Sequence, residues 1–157
     1  MQRGDLLRGK KVLVVDDEPD ILESAEEVLE ICDVDTAEDF SSAKTLLEDR
    51  DYDLVVLDIM GVNGYELLKI AKDRGFLTVM LTGHALSADN FARSMDEGAD
   101  AYLPKTKLAE IDTFLEDVLS DDRARTGRMG KWFSRLKSYY ENKFGPGWLE
   151  EYKGAWH

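Results

Sequence analysis

Asp53-Leu54-Val55-Val56-Leu57-Asp58 decides the fold. Four apolar residues in an unbroken run suit a strand buried on both faces, and the run closes on a carboxylate. The pattern recurs along the chain. Val12-Leu13-Val14-Val15 ends in the pair Asp16-Asp17, Thr78-Val79-Met80-Leu81 ends in Thr82, and Ala101-Tyr102-Leu103 is followed, after Pro104, by Lys105. Strands lying parallel in one sheet gather these carboxylates, the hydroxyl and the amine at its carboxyl edge, where open α/β sheets place their sites.

The segments between the runs carry helical spacing. Pro19 suits a helix start, where its missing N–H costs nothing. Ile21, Leu22, Ala25, Val28, Leu29 and Cys32 then predict a helix over 19–32. Val34-Asp35-Thr36-Ala37 reads as a short strand near an edge, and Phe40, Ala43, Leu46 and Leu47 as a second helix. Helices are expected over 64–74 and 87–97, followed by Gly75 and Gly98, and Leu108, Ile111, Phe114, Leu115 and Val118 mark a fifth. Strands are expected at 11–16, 53–58, 77–82 and 100–103. Five strand–helix units of this size imply a parallel sheet covered on both faces.

The clustered groups suit one chemistry. Acidic side chains with one more acid beside them make a hard oxygen site for Mg²⁺, which favours carboxylates and phosphate oxygens. A carboxylate is also a competent nucleophile toward phosphorus. A metal and a lysine would neutralise the phosphoryl oxygens, and a threonine hydroxyl within reach would sense their presence.

These residues resemble the receiver domain of two-component response regulators. The matching pieces are Val12 to Pro19, Asp53 to Met60, Val79 to Gly83 and Gly98 to Lys105, in the family's order within residues 10–120. The resemblance implies a flavodoxin-like, doubly wound α/β fold of five parallel strands in the order 2-1-3-4-5 with five helices. It implies Asp58 as phospho-acceptor; Asp16, Asp17, Asp58 and the Met60 carbonyl as holders of Mg²⁺ (or Mn²⁺); Thr82 and Tyr102 as a switch pair; and Lys105 as the contact to the phosphoryl group. It further implies a phosphorylating partner, a histidine kinase or phosphotransfer protein, and no enzymatic activity beyond weak self-phosphorylation and autodephosphorylation. Two departures stand out. Asp58-Ile59-Met60-Gly61-Val62-Asn63-Gly64 is shorter than the family's loop and lacks its Met-Pro, so the rim beside the metal differs. Thr106, not proline, follows Lys105, with Pro104 before it. A cis bond after Lys105 would cost ~2.5–4 kcal/mol without a proline, so a trans bond is expected.

Composition sets the outer bounds. With 43% apolar residues the chain can bury a core. Residues 1–120 hold 12 basic and 28 acidic side chains, a net of −16, and residues 121–157 hold 8 and 5, a net of +3. Such an acidic domain is a poor match to nucleic acid. A single cysteine, Cys32, excludes an internal disulfide and fits a reducing cytoplasm. No apolar run approaches the ~18 residues of a membrane span. The expected organisation is an N-terminal tail (1–9), the receiver (10–120), a linker (121–127) and an extension (128–157).

The extension is the unusual part. It holds eight aromatics, Trp132, Phe133, Tyr139, Tyr140, Phe144, Trp148, Tyr152 and Trp156, among them all three tryptophans of the chain. Met129, Trp132, Phe133, Leu136, Tyr139 and Tyr140 follow helical spacing, so 128–143 is predicted to be an amphipathic helix, broken by Gly145-Pro146-Gly147 before a further turn from Trp148. Rings that bury roughly 150–250 Å² each are not left in water. The helix should lay Trp132, Phe133, Leu136 and Tyr140 on an apolar surface, its own receiver or a second copy. The glycines around it favour a partner or dimer surface, because they divide the segment into separately placed pieces. Output is therefore expected through the extension, a homodimer or a downstream protein on the α4–β5–α5 face, without a DNA-binding domain. Two other readings exist: a receiver-like scaffold that is never phosphorylated, and a phosphatase of the haloacid dehalogenase type. The latter family needs a second aspartate where this chain has Met60.

Overall fold

The computed structural model describes residues 6–121 and 129–152, the last two of these without their side chains. Five strands form one parallel sheet in the order β2-β1-β3-β4-β5: β1 Lys11–Val15, β2 Asp33–Ala37, β3 Leu54–Asp58, β4 Leu77–Thr82 and β5 Ala101–Pro104. The inner strands β1 and β3 and their neighbours β4 and β5 are buried almost throughout, as their unbroken apolar runs require. β2, with alternating acids, lies at the edge. Register pairs Val15 with Leu57, Asp58 with Leu81, and Thr82 with Pro104, which brings the strand ends level.

The helices are α1 Pro19–Val28, α2 Phe40–Asp49, α3 Gly64–Asp73, α4 Ala88–Asp96 and α5 Ile111–Ser120. Three of them begin on local chemistry that removes or satisfies a free N–H group. Pro19 opens α1. The Asp39 side chain accepts from Ser42 N–H at 2.8 Å at the start of α2. The Ser87 hydroxyl accepts from Asn90 N–H at 3.0 Å at the start of α4. α1 packs against α5 and α2 against α3, while Tyr65 of α3 donates to the Asn90 side chain at 2.6 Å and ties α3 to α4. Among the described residues no helix is long and apolar enough to cross a membrane.

Three boundaries differ from the expected ones. α1 ends at Val28, not 32, because Asp33 N–H must already bond the Lys10 carbonyl (2.8 Å) to open β2, and the intervening residues turn. α5 starts at Ile111. Leu108 lies instead in a 3₁₀ turn, Lys105–Glu110, which reverses the chain directly after β5. Of the expected tail, residues 1–5 lie outside the described residues, while Leu7 is in the core and Gly9 N–H bonds the Ile31 carbonyl at 2.9 Å.

The extension forms α6 Lys131–Phe144 and α7 Trp148–Tyr152. α6 starts later than expected, since Gly130 takes φ +88° and its backbone abuts the Asp121 carboxylate. The predicted face (Trp132, Phe133, Leu136, Tyr140) is buried. The surface it covers corrects the expectation of a partner or second copy: it is the chain's own α4–β5–α5 face. Phe91 of α4 lies at 5.0–6.2 Å, centroid to centroid, from the rings of Trp132, Phe133, Tyr140 and Trp148. The Tyr140 hydroxyl donates to the Tyr102 carbonyl of β5. Arg135 bonds Asp117 of α5 through Nε (2.6 Å) and Nη2 (3.2 Å). Gly145 and Gly147, at φ +91° and +82°, do not separate the pieces. They fold α7 back so that Trp148 meets Phe144 at 5.0 Å. The fit has a flaw: the indole N–H groups of Trp132 and Trp148 are buried without an acceptor among the described residues, at about 1–3 kcal/mol each. The expected linker falls almost wholly outside the described residues.

Candidate functional site

At the carboxyl edge the strand ends deliver their groups to one place. Asp16 follows β1 and is fully buried; Asp58 ends β3 and is 5% exposed; Thr82 ends β4 and is 1% exposed. Lys105 leaves β5 with its ammonium turned inward, and among the described residues no peptide bond is cis. Its Nζ lies 2.9 Å from Asp16 Oδ2, 3.3 Å from Asp58 Oδ1 and 3.6 Å from Glu18 Oε1. The backbone of Glu18 donates to Asp16 Oδ1 at 2.9 Å, turning the chain after β1. Asp16, Asp17 and Glu18 can bring one carboxylate oxygen each within 4.8 Å of the others. Glu18 was not among the expected ligands. Its place directly after the acid pair was the one signal for it.

The electrostatics follow from burial and crowding. Burial, then the charge of Asp16, pushes the Asp58 carboxyl up to about 6, with Lys105 pulling the other way. Burial also raises Asp16 against the opposing effect of Lys105. Burial alone would lower Lys105; its bonds to Asp16 and Asp58 outweigh that and hold it charged. Three carboxylates, those of Asp16, Glu18 and Asp58, thus face one ammonium, with Asp17 beside the first two. Asp16 Oδ2 meets that ammonium at 2.9 Å, and a carboxylate oxygen so paired still has a second lone pair to offer. An excess of hard oxygen with spare lone pairs is a fitting environment for a small divalent cation.

The shortened loop after Asp58 closes tightly on this cluster. Gly61 has φ +85°, and a Cβ there would come within 2.5 Å of Asp17 Oδ2. Asn63, also left-handed at φ +57°, leads into α3, whose first residue, Gly64, would set a Cβ 2.1 Å from the Asp58 carbonyl. Met60 is 58% exposed. Gly61→Ala should therefore displace Asp17 as well as strain the backbone, by ~1–2 kcal/mol for the left-handed conformation alone. A urea titration alongside a Mg²⁺ titration checks this, with both curves expected to weaken together.

The residues expected to form a switch pair both bond to the loop after β4. Thr82 Oγ1 accepts from Ala85 N–H at 3.2 Å. Tyr102, fully buried, donates through its hydroxyl to the Ala85 carbonyl at 3.0 Å and accepts from Ser87 N–H at 3.2 Å. The loop at Ala85 therefore joins the two. His84, in the same loop, is exposed.

Residues 12–116 match the family Response regulator receiver domain. The chain belongs to that family. The receiver is 38% identical over 103 residues to the transcriptional regulatory protein TcrA of Mycobacterium tuberculosis, covering 62% of this chain and 40% of that one. It is 37% identical over 101 residues to the DNA-binding response regulator MtrA of Mycolicibacterium smegmatis, covering 61% and 44%. The chain thus spans less than half the length of these relatives. Among solved structures it resembles a response regulator receiver domain protein (CheY-like) from Methanospirillum hungatei JF-1. The TM-score is 0.61 at 30% identity, over 71% of this chain and 96% of that one.

Proposed function

We propose that this receiver accepts a phosphoryl group on Asp58 from a histidine kinase or phosphotransfer protein, in a reaction that requires Mg²⁺ or Mn²⁺. The observation that carries the reading is the Lys105 ammonium between Asp58 and Asp16, inside a four-carboxylate cluster at the sheet's carboxyl edge. In the transfer, an Asp58 carboxylate oxygen attacks phosphorus. The bond from phosphorus to the donor breaks, and the donor leaves with that electron pair. Lys105 exchanges part of its pairing with Asp16 for the incoming phosphoryl oxygens, and the Thr82 hydroxyl donates to one of them. Asp16, Asp17, Asp58 and the Met60 carbonyl would hold the cation, with Glu18 at the rim. When bound, it supplies positive charge against the phosphoryl oxygens. The −16 charge of residues 1–120 supports a protein rather than a phosphate backbone as the receiver's own partner.

The rival reading, an unphosphorylated scaffold, is favoured by the short loop that leaves Met60 exposed. Acetyl phosphate separates the two. Intact mass should rise by one phosphate with Mg²⁺ and not with EDTA; a scaffold gains nothing in either. Asp17→Ala should lower Mg²⁺ affinity by at least about 10-fold, since even ligand-supporting residues contribute that much. Calorimetric titration measures it, and unchanged affinity would place the cation elsewhere.

A further inference from the structure

The extension touches the chain on both sides of Lys105, at β5 before it and at the 3₁₀ turn after it. On one side, the Tyr140 hydroxyl donates to the Tyr102 carbonyl. On the other, the Tyr139 hydroxyl and Thr106 Oγ1 lie 3.1 Å apart. Thr106 thereby supplies a hydroxyl that a proline at this position would lack. From Tyr102 the connection continues through its hydroxyl to the Ala85 carbonyl, and from Ala85 N–H to Thr82 Oγ1. Three hydrogen bonds, joined through the covalent frames of Tyr102 and Ala85, therefore link α6 to Thr82, and a one-residue step along the backbone from Thr106 links it to Lys105. These are the two groups that must re-aim when a phosphoryl group arrives. The docked extension also leaves the indole N–H groups of Trp132 and Trp148 without an acceptor among the described residues, so part of its contact is lost cheaply.

We infer that α6 and α7 are an intramolecular occupant of the α4–β5–α5 face that phosphorylation of Asp58 releases, freeing that face for an amphipathic helix of another protein. The inference rests on Asp58 being the acceptor. The replacement helix needs what α6 brings: aromatic or large apolar residues at the spacing of Trp132, Leu136 and Tyr140, and a cation that reaches Asp117 as Arg135 does. By reciprocity, a weakened lid must favour phosphorylation to the same degree that phosphorylation weakens the lid.

The tryptophans report on this directly, because all three belong to the extension and Trp132 and Trp148 are 1% and 4% exposed. The full chain is treated with acetyl phosphate and Mg²⁺, and intact mass, tryptophan emission and hydrogen exchange are followed together. Emission should move to the red, and exchange over residues 131–149 should accelerate at least about 5-fold, both in step with the mass adduct. Tyr140→Phe, which keeps the ring and removes the bond to Tyr102, should speed exchange before any phosphate is added and increase the adduct at limiting acetyl phosphate. An adduct that leaves emission and exchange unchanged, or slows the exchange, overturns the lid while leaving the acceptor reading intact. Absence of any adduct overturns both. A Tyr140→Phe protein whose exchange and adduct level match the native protein overturns the link from α6 to Thr82.

Discussion

Asp58→Asn is expected to abolish phosphoryl uptake and, in the same protein, to stabilise the metal-free fold. Loss of uptake follows from loss of the nucleophile, since an amide oxygen does not form the acyl phosphate. The stabilisation follows from the raised carboxyl. Asp58 titrates near 6 in the folded chain, against an ordinary value of 3.8. Between those values the folded state holds a proton that the unfolded state has released, so stability falls as pH rises from about 4 to about 6 and stays lower above that. Asparagine removes this penalty. Its benefit should reach up to ~3 kcal/mol above pH 7, the equivalent of the shift of about two units, and vanish below about pH 4. Mg²⁺ should narrow the gap by favouring the charged native side chain. Urea unfolding at pH 4, 6 and 8, with EDTA and with Mg²⁺, measures all of this. An Asn variant less stable than the native protein at pH 8 in EDTA would contradict the electrostatic account of the site.

Phe91→Ala is expected to have the largest structural effect of any single core change near the switch face. Phe91 is fully buried and central to an aromatic group made of Tyr102, Trp132, Phe133, Tyr140 and Trp148, with Tyr102 at 5.3 Å and Trp148 at 5.0 Å. Truncation removes the ring that both β5 and the extension pack against. A cost of about 3–5 kcal/mol is expected for a buried phenylalanine, equivalent to a fall in Tm on the order of 10 °C for a chain of this size. The tryptophan emission should also shift red without any phosphodonor, because α6 and α7 lose their common support. A cost below about 1 kcal/mol with unchanged emission would show that the aromatic group is not formed in solution.

Much of the fold was legible because each inner strand announces itself twice, by an apolar run and by the polar residue that ends it. Asp58, Thr82 and the acid pair could be placed at one edge without knowing the helices in detail. Lys105 could be placed there too. What could not be read was anything depending on close approach. Gly61 looks like any loop glycine until the short loop brings its backbone against Asp17. Glu18 looks like an exposed helix-start acid until Lys105 is found between it and Asp58. The start of α5 was misplaced because Leu108 fits the helical spacing, although the chain needs a tight 3₁₀ reversal there.

The extension shows the same limit more sharply. Its buried face was evident from ring spacing alone. Its docking surface was not, because the complement is scattered over Phe91 of α4, Tyr102 of β5, Thr106 of the 3₁₀ turn and Asp117 of α5, whose pairing with Arg135 has no sequence signature. The glycines read as separators act instead as a hinge for folding α7 back, which a left-handed φ permits at both Gly145 and Gly147.

The most direct measurement of the central claim is reductive trapping of the phosphorylated chain. Borohydride delivers one hydride to the acyl carbon of an aspartyl phosphate, expelling phosphate and leaving the aldehyde, and a second hydride with a proton converts that to homoserine, which peptide mass mapping locates. After acetyl phosphate and Mg²⁺, homoserine should appear at position 58 and at no other aspartate. Homoserine at Asp16 or Asp17, or none at all in a chain that has gained the mass of a phosphate, would contradict Asp58 as the acceptor.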